Sequence, residues 1–261
     1  MNGSRGSKLL LRKSLLNFEE NFNPTSSSYK VEPCIIGTVQ RIEIASDEFY
    51  HIYNRGTEKR DIFLTRSDYD RFLALMYLCN GPKPVDLKLQ GSTLYEVWNI
   101  VRGDPLIDIC AYCLMPNHFH FVVREKTEGG VSHFMQKLAT GYTMYFNKHS
   151  ERSGALFQGR FKARHADTDD YLSYLIAYVH LNPVKLIEPR WKEIGIQNQN
   201  AVEQYLKHYR YSSYLDYLGD RRVENTLITS GALPQYFEAP KDLEMNIRYW
   251  LQKPSIQGST L

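Results

Sequence analysis

Residues 106–124, LIDICAYCLMPNHFHFVVR, constrain the fold more than any other stretch of the chain. Two apolar runs, Leu106–Leu114 and His118–Arg124, flank Met115-Pro116-Asn117, which is turn chemistry. The pattern predicts two antiparallel strands joined by a tight turn. Side chains two apart in a strand share a face. His118, His120 and Val122 therefore lie on one side. Phe119, Phe121 and Val123 lie on the other, which suits a helix-packed core.

The flanking segments extend this pair into a known supersecondary order. Glu48–Arg55 (EFYHIYNR) reads as an earlier strand, ended by Gly56. Ser67 is a plausible N-cap for a helix to about Asn80, with Phe72, Leu73, Met76 and Cys79 on one face. Gly129-Gly130 closes the third strand, and Val131–Asn147 carries apolar residues at helical spacing. Arg160–His165 reads as a fourth strand. Thr168 caps a helix over Asp169–Leu181, which Pro183 stops. The order β-α-β-β-α-β plus a helix predicts an α+β, ferredoxin-like (split β-α-β) fold: a four-stranded antiparallel sheet with helices on one face, followed by a C-terminal helical extension. The other sheet face is then expected to be free for a ligand. Residues 1–46 read as a basic arm and linker, and 47–185 as the main domain with 81–105 inserted, possessing a short Tyr95–Val101 run compatible with a hairpin. Residues 186–261 read as the extension.

Composition bounds the function classes. Lys plus Arg is 32 against 29 Asp plus Glu, a net charge of +3, too small to advertise nucleic-acid binding by itself. The distribution says more. Residues 148–164 hold Lys148, Arg152, Arg160, Lys162 and Arg164 against Glu151 alone. Such a run is usually a solvated face, and becomes a phosphate-tracking patch only beside nucleic-acid chemistry. The four cysteines lack the density of a disulfide framework, which fits a reducing compartment. No run approaches the ~18 apolar residues of a membrane span. Leu9-Leu10-Leu11 is broken at once by Arg12-Lys13, so no signal-peptide core is expected and a cytoplasmic location is the default.

Two local patterns carry chemistry. His118 and His120 project side by side, an arrangement that can hold one divalent cation and leave positions for water or substrate. An isolated HxH is also what two surface histidines look like. On the helix 169–181, Leu172, Leu175, Ile176 and Val179 form the apolar stripe, flanked by Tyr171, Tyr174, Tyr178 and Asn182. Tyrosines beside a core stripe are usually packing. Nineteen tyrosines leave room for packing, base stacking and one nucleophile alike. Asn182, four residues after Tyr178, either ends the helix or places a carboxamide near the Tyr178 hydroxyl.

Taken together, Leu114-Met115-Pro116-Asn117-His118-Phe119-His120, Phe157-Gln158-Gly159-Arg160-Phe161-Lys162 and Tyr178-Val179-His180-Leu181-Asn182-Pro183-Val184-Lys185 resemble the single-tyrosine HUH transposases, and among them the REP-associated tyrosine transposases. Tyr50-His51-Ile52-Tyr53-Asn54-Arg55-Gly56 and Tyr211-Ser212-Ser213-Tyr214 are similar too. The resemblance spans roughly residues 48–218. It implies a metal-dependent single-stranded DNA transposase and endonuclease that cleaves and rejoins strands through a 5′-phosphotyrosine, at hairpin-containing element ends. It implies Tyr178 as nucleophile rather than Tyr174 or Tyr171. It implies His118, His120 and Asn182 as ligands of Mg²⁺ or Mn²⁺, and single-stranded or hairpin DNA as partner. Beside such a site Arg152, Arg160, Lys162 and Arg164 become candidate DNA contacts. Relatives include dimers and apparent monomers, so a homodimer is allowed. The competing readings are a domesticated or non-catalytic hairpin DNA- or RNA-binding protein, and a zinc site from Cys110 and Cys113 with the two histidines. The second lacks finger spacing, and in a regular strand the two cysteines face opposite ways.

Overall fold

A computed structural model describes residues 43–85, 96–234, 237 and 240–252. Four strands, β1 (Phe49–Arg55), β2 (Ile107–Met115), β3 (His118–Glu125) and β4 (Lys162–His165), form one antiparallel sheet in the order β2-β3-β1-β4. Helices α1 (Arg66–Cys79) and α2 (Gly130–His149) complete the ferredoxin-like unit expected from the sequence. They pack on one face, where Ile52, Tyr112, Phe119, Phe121 and Val123 meet Phe72, Met76, Phe134 and Leu138 in one buried cluster. Burying each such large apolar side chain stabilises by roughly 1.5–3 kcal/mol.

Local chemistry accounts for the element ends. Helix α1 starts two residues earlier than Ser67 as N-cap would place it. Thr65 is the N-cap, and the Asp68 carboxylate accepts from the backbone N–H groups of Leu64 and Thr65 at 2.9 and 2.8 Å. Ahead of α2, Gly129 holds φ 72°, and a Cβ on Gly130 would stand 2.4 Å from the Leu106 carbonyl oxygen, so both positions need glycine. Thr168 caps α3 (Asp169–Leu181) through Oγ1, which accepts from the Tyr171 N–H at 3.2 Å. Pro183 turns the chain into a 3₁₀ segment, Asn182–Leu186. Within 81–105, residues 86–95 lie outside the described residues, and Glu96–Asn99 is a 3₁₀ turn rather than a strand. Of the arm 1–46, only 43–46 are among the described residues.

The second sheet face is not free. Its side chains Cys110, Ala111, Cys113, Met115 and Val122 are apolar and fully buried, and they need cover. Helix α3 lies on them through Leu172, Leu175, Ile176 and Val179, and the chain beyond it adds α4 (Trp191–Ile194), α5 (Gln199–Leu206), α6 (Tyr214–Tyr217) and α7 (Pro240–Leu251) to the same core. Cys110 and Cys113 share this face, contrary to strand parity, because a bulge between Ile109 and Ala111 shifts the register. Helix α7 is tied to α3 by Tyr174 against Trp250 at 5.0 Å between ring centroids, and by Asn246 Nδ2 donating to the Ser173 carbonyl at 2.9 Å. Among the described residues no helix is long and apolar enough to cross a membrane.

Residues 211–213 also close the β2 edge. The Leu114 N–H donates to the Tyr211 carbonyl at 2.9 Å and the Ser213 N–H to the Tyr112 carbonyl at 3.0 Å. Behind this edge Arg222 forms a buried pair with Asp216, Nη2 lying 2.5 Å from Oδ2, and donates to the Ser212 carbonyl and the Tyr112 hydroxyl at 2.6 and 3.0 Å. Burial still pushes the Asp216 carboxyl up, so this pair is costly to leave half made. Arg222→Met should strand Asp216 and lower unfolding stability by about 3–5 kcal/mol. Urea unfolding tests this, and a loss under about 1 kcal/mol would contradict it.

Candidate active site

The β1–β3–β4 part of the second sheet face gathers the polar residues. The β1–β3 register sets His120 opposite Tyr53 and His118 opposite Arg55. The β1–β4 register sets Lys162 opposite Tyr53 and Arg164 opposite His51. Opposed residues share a side, so His51, Tyr53, Arg55, His118, His120, Lys162 and Arg164 all belong to one face. Helix α3 brings Tyr178 to it. The Tyr178 ring centroid lies 5.6 Å from His120 and 5.9 Å from His51, both edge-on. His118 and His120 are 5.0 Å apart between centroids.

The imidazoles are held from behind. His118 Nδ1 lies 2.5 Å from Asn117 Oδ1, so Nδ1 carries the proton and donates, leaving Nε2 with its lone pair. His120 Nδ1 lies 2.9 Å from His51 Nε2. With Nδ1–H of His120 as donor, its Nε2 is likewise unprotonated. Burial lowers the pKa of all three, aided by positive neighbours. His51 falls to about 3, with Arg164 and Lys192 adding to burial, and His118 to about 3, with Arg55, Lys185 and Lys192 adding. His120 lies well below the ordinary value. These rings are neutral near pH 7, the state a metal ligand needs.

This donor set fits a divalent cation in part. Two neutral imidazoles with the far nitrogen anchored match the supported-ligand pattern of metal sites. Among the described residues no group of three or more His, Cys, Asp or Glu is arranged to hold a metal, so protein side chains of those types supply at most a pair, and substrate oxygens and water would complete the sphere. Asn182 is buried next to Tyr178, and its Nδ2 donates to the Tyr178 carbonyl at 2.8 Å, which also finishes the helix. The contact is to the Tyr178 backbone and is the helix-ending one of the two expected roles.

The other tyrosines sort by contact. Tyr174 packs on Trp250, and Tyr171 lies under the Arg164 guanidinium at 4.8 Å. Tyr142 and Phe157 are core residues, and Tyr145 donates to Asp68 Oδ1 at 3.0 Å. The basic residues divide too. Lys162 and Arg164 flank the histidine face, and Arg160 is exposed on the loop whose Gln158 N–H donates to the Arg55 carbonyl at 2.8 Å. Arg152 is engaged within its own loop, donating to Asn147 Oδ1 at 2.7 Å and the Ala155 carbonyl at 3.2 Å. His165 pairs with Glu48 at 2.9 Å, and His180 is buried against Ser213 Oγ at 2.8 Å, away from the site.

Sequence reasoning missed two things. His51, given no role by the sequence, touches His120 directly, and strand pairing of β1 with β3 was the signal that could have found it. Lys192, outside every motif, reaches the Tyr178 hydroxyl with Nζ at 3.2 Å and lies 4.3 Å from the ring centroid. Burial pushes the Tyr178 phenol up, away from ionisation.

The family described as "Transposase IS200 like" matches residues 89–182, a stretch containing His118, His120, Tyr178 and Asn182. Among solved structures, one described as "Structure of the REP associates tyrosine transposase bound to a REP hairpin" aligns with a TM-score of 0.43 and 13% identity, covering 72% of this chain and 90% of that one. No curated protein matches. Over residues 89–182 the chain is similar to the IS200-like transposases, the family to which its sequence motifs point.

Proposed function

We propose that the protein is a metal-dependent single-stranded DNA endonuclease and strand transferase that uses Tyr178 as nucleophile. The observation that carries this reading is the meeting of Tyr178 with the anchored His118–His120 pair across the α3–sheet junction. His118 and His120, with Asn182 as a third polar neighbour, would hold Mg²⁺ or Mn²⁺. Such an ion, when bound, supplies Lewis-acid polarisation of the scissile phosphate.

The chain's own residues do the rest. Tyr178 Oη attacks phosphorus, the bond to the 3′ oxygen breaks, and the DNA 5′ end remains on the tyrosine while a 3′-hydroxyl is released. The ester retains the energy of the phosphodiester, so reversal by another 3′-hydroxyl rejoins strands without a nucleotide cofactor. Arg55, Lys162, Arg164 and exposed Arg160 line the approach with positive charge, which suits a phosphate backbone.

The test is incubation of the protein with labelled hairpin-bearing single-stranded DNA and Mg²⁺ or Mn²⁺, read on a denaturing gel. A metal-dependent covalent adduct is expected. Tight hairpin binding with no adduct on any substrate would favour the non-catalytic hairpin-binding reading. His51→Phe should keep the fold but release His120 Nδ1, weakening Mn²⁺ affinity by roughly 10–100-fold in a calorimetric titration. Unchanged affinity would remove His51 from the site.

A further inference from the structure

Helix α4 is a four-residue turn in the segment read from sequence only as an extension, and residues 183–261 lie outside the family match. Trp191 anchors this turn in the core at 3% exposure, so its neighbour Lys192 is delivered to a set place. That place is the Tyr178 hydroxyl. The nearest aromatic faces are those of Tyr178 and Trp191, with Nζ 4.3 and 5.7 Å from their centroids. No carboxylate pairs with Lys192 among the ion pairs of the described residues. An amine stored against a phenol, rather than against an acid, is unusual for a half-buried lysine and points to chemistry at that oxygen.

We propose that Lys192 is a catalytic residue contributed by the C-terminal segment, taking the Tyr178 proton as the phosphotyrosine bond forms and returning it when that bond is broken. The inference rests on Tyr178 being the nucleophile. The balance is simple. In cleavage, Oη bonds to phosphorus, the Tyr178 proton passes to the Lys192 amine to give an ammonium, and the departing 3′ oxygen takes a proton from water. In rejoining, the incoming 3′-hydroxyl loses its proton to water, the Oη–phosphorus bond breaks, and the ammonium reprotonates the phenolate. The four-carbon stem lets Nζ shift as a phosphate enters while staying within reach of Oη.

The surroundings favour the amine form. Lys192 is lowered to about 8, by burial first and by Lys185 second. The groups that interact with its charge are Lys185 on the 3₁₀ turn, His51 on β1, and His118 and His120 on β3, with the Tyr178 hydroxyl against Nζ. The histidines are neutral near pH 7, and no carboxylate is among the causes that shift Lys192, so both of those causes lower it. The amine fraction grows as pH rises through 8.

The test measures single-turnover adduct formation on hairpin-bearing single-stranded DNA, at fixed Mn²⁺, from pH 6 to 9.5. Wild type should rise with pH and level off above about 8. Lys192→Met, which keeps the stem, should be about 100-fold slower at pH 8 and lose the rise. Lys192→Arg keeps the charge but cannot accept a proton, and should be as slow as Lys192→Met. Hairpin affinity and thermal midpoint should be near wild type in both variants. A Lys192→Met rate within threefold of wild type, or full rescue by arginine, overturns the proton-transfer role. Adduct that survives in Tyr178→Phe overturns the underlying nucleophile assignment instead, whatever the lysine variants do.

Discussion

Tyr178→Phe is expected to abolish the covalent protein–DNA adduct, with cleavage falling by at least roughly 1,000-fold, because no other phenol stands where Tyr178 does. The loss should be chemical. Tyr178 is 4% exposed, and phenylalanine keeps its packing in the α3 core, giving up the hydroxyl and with it the contact from Lys192. The variant should therefore fold and bind hairpin DNA as wild type does. Tyr174→Phe and Tyr171→Phe are the controls. Tyr174 is a packing partner of Trp250, and Tyr171 lies beneath Arg164. Both should form adduct within a few-fold of wild type. Adduct mapped by mass spectrometry to residue 174 or 171 would overturn the assignment.

His120→Ala is expected to remove metal-dependent cleavage, by about 100- to 1,000-fold at a cation concentration that saturates wild type. The substitution removes one imidazole of the pair and leaves His51 Nε2 without its partner at 2.9 Å. The lesion should appear first as weakened Mn²⁺ binding, measured by calorimetry or by the signal of free Mn²⁺, and only through that as lost cleavage. Excess cation should recover part of the rate. Hairpin binding without metal should be unaffected, since Arg55, Lys162 and Arg164 are untouched. Unaltered Mn²⁺ affinity together with wild-type cleavage would sink the proposed ligand role of this histidine.

Much of this arrangement was legible because it depends on short-range rules. Strand parity placed His118 and His120 together, and the observed register confirms that they share a face. Helical spacing identified the buried stripe Leu172, Leu175, Ile176 and Val179, and Thr168 and Pro183 bounded the helix as capping and proline chemistry require. Parity failed at Cys110, where one bulged residue reversed the facing of what precedes it. A bulge is a property of two paired strands, so a single strand read alone does not reveal it. The expectation of an open sheet face failed for a related reason. The strands were read for their polar members, and the apolar residues between them, Ala111, Cys113 and Val122, demanded a cover that comes from α3 and the chain beyond it, far along the sequence.

By itself, then, the sequence determined the element order, the paired histidines, and the single helix carrying Tyr178 and Asn182, all of them set by periodicity, capping and turn residues within a few positions. Tertiary structure alone decided which groups touch. It set His51 behind His120 through strand pairing, turned Arg152 into its own loop, packed Tyr174 against Trp250, and carried Lys192 to the Tyr178 hydroxyl. These contacts follow from burying both faces of one sheet, and burial acts between residues that sequence distance does not relate.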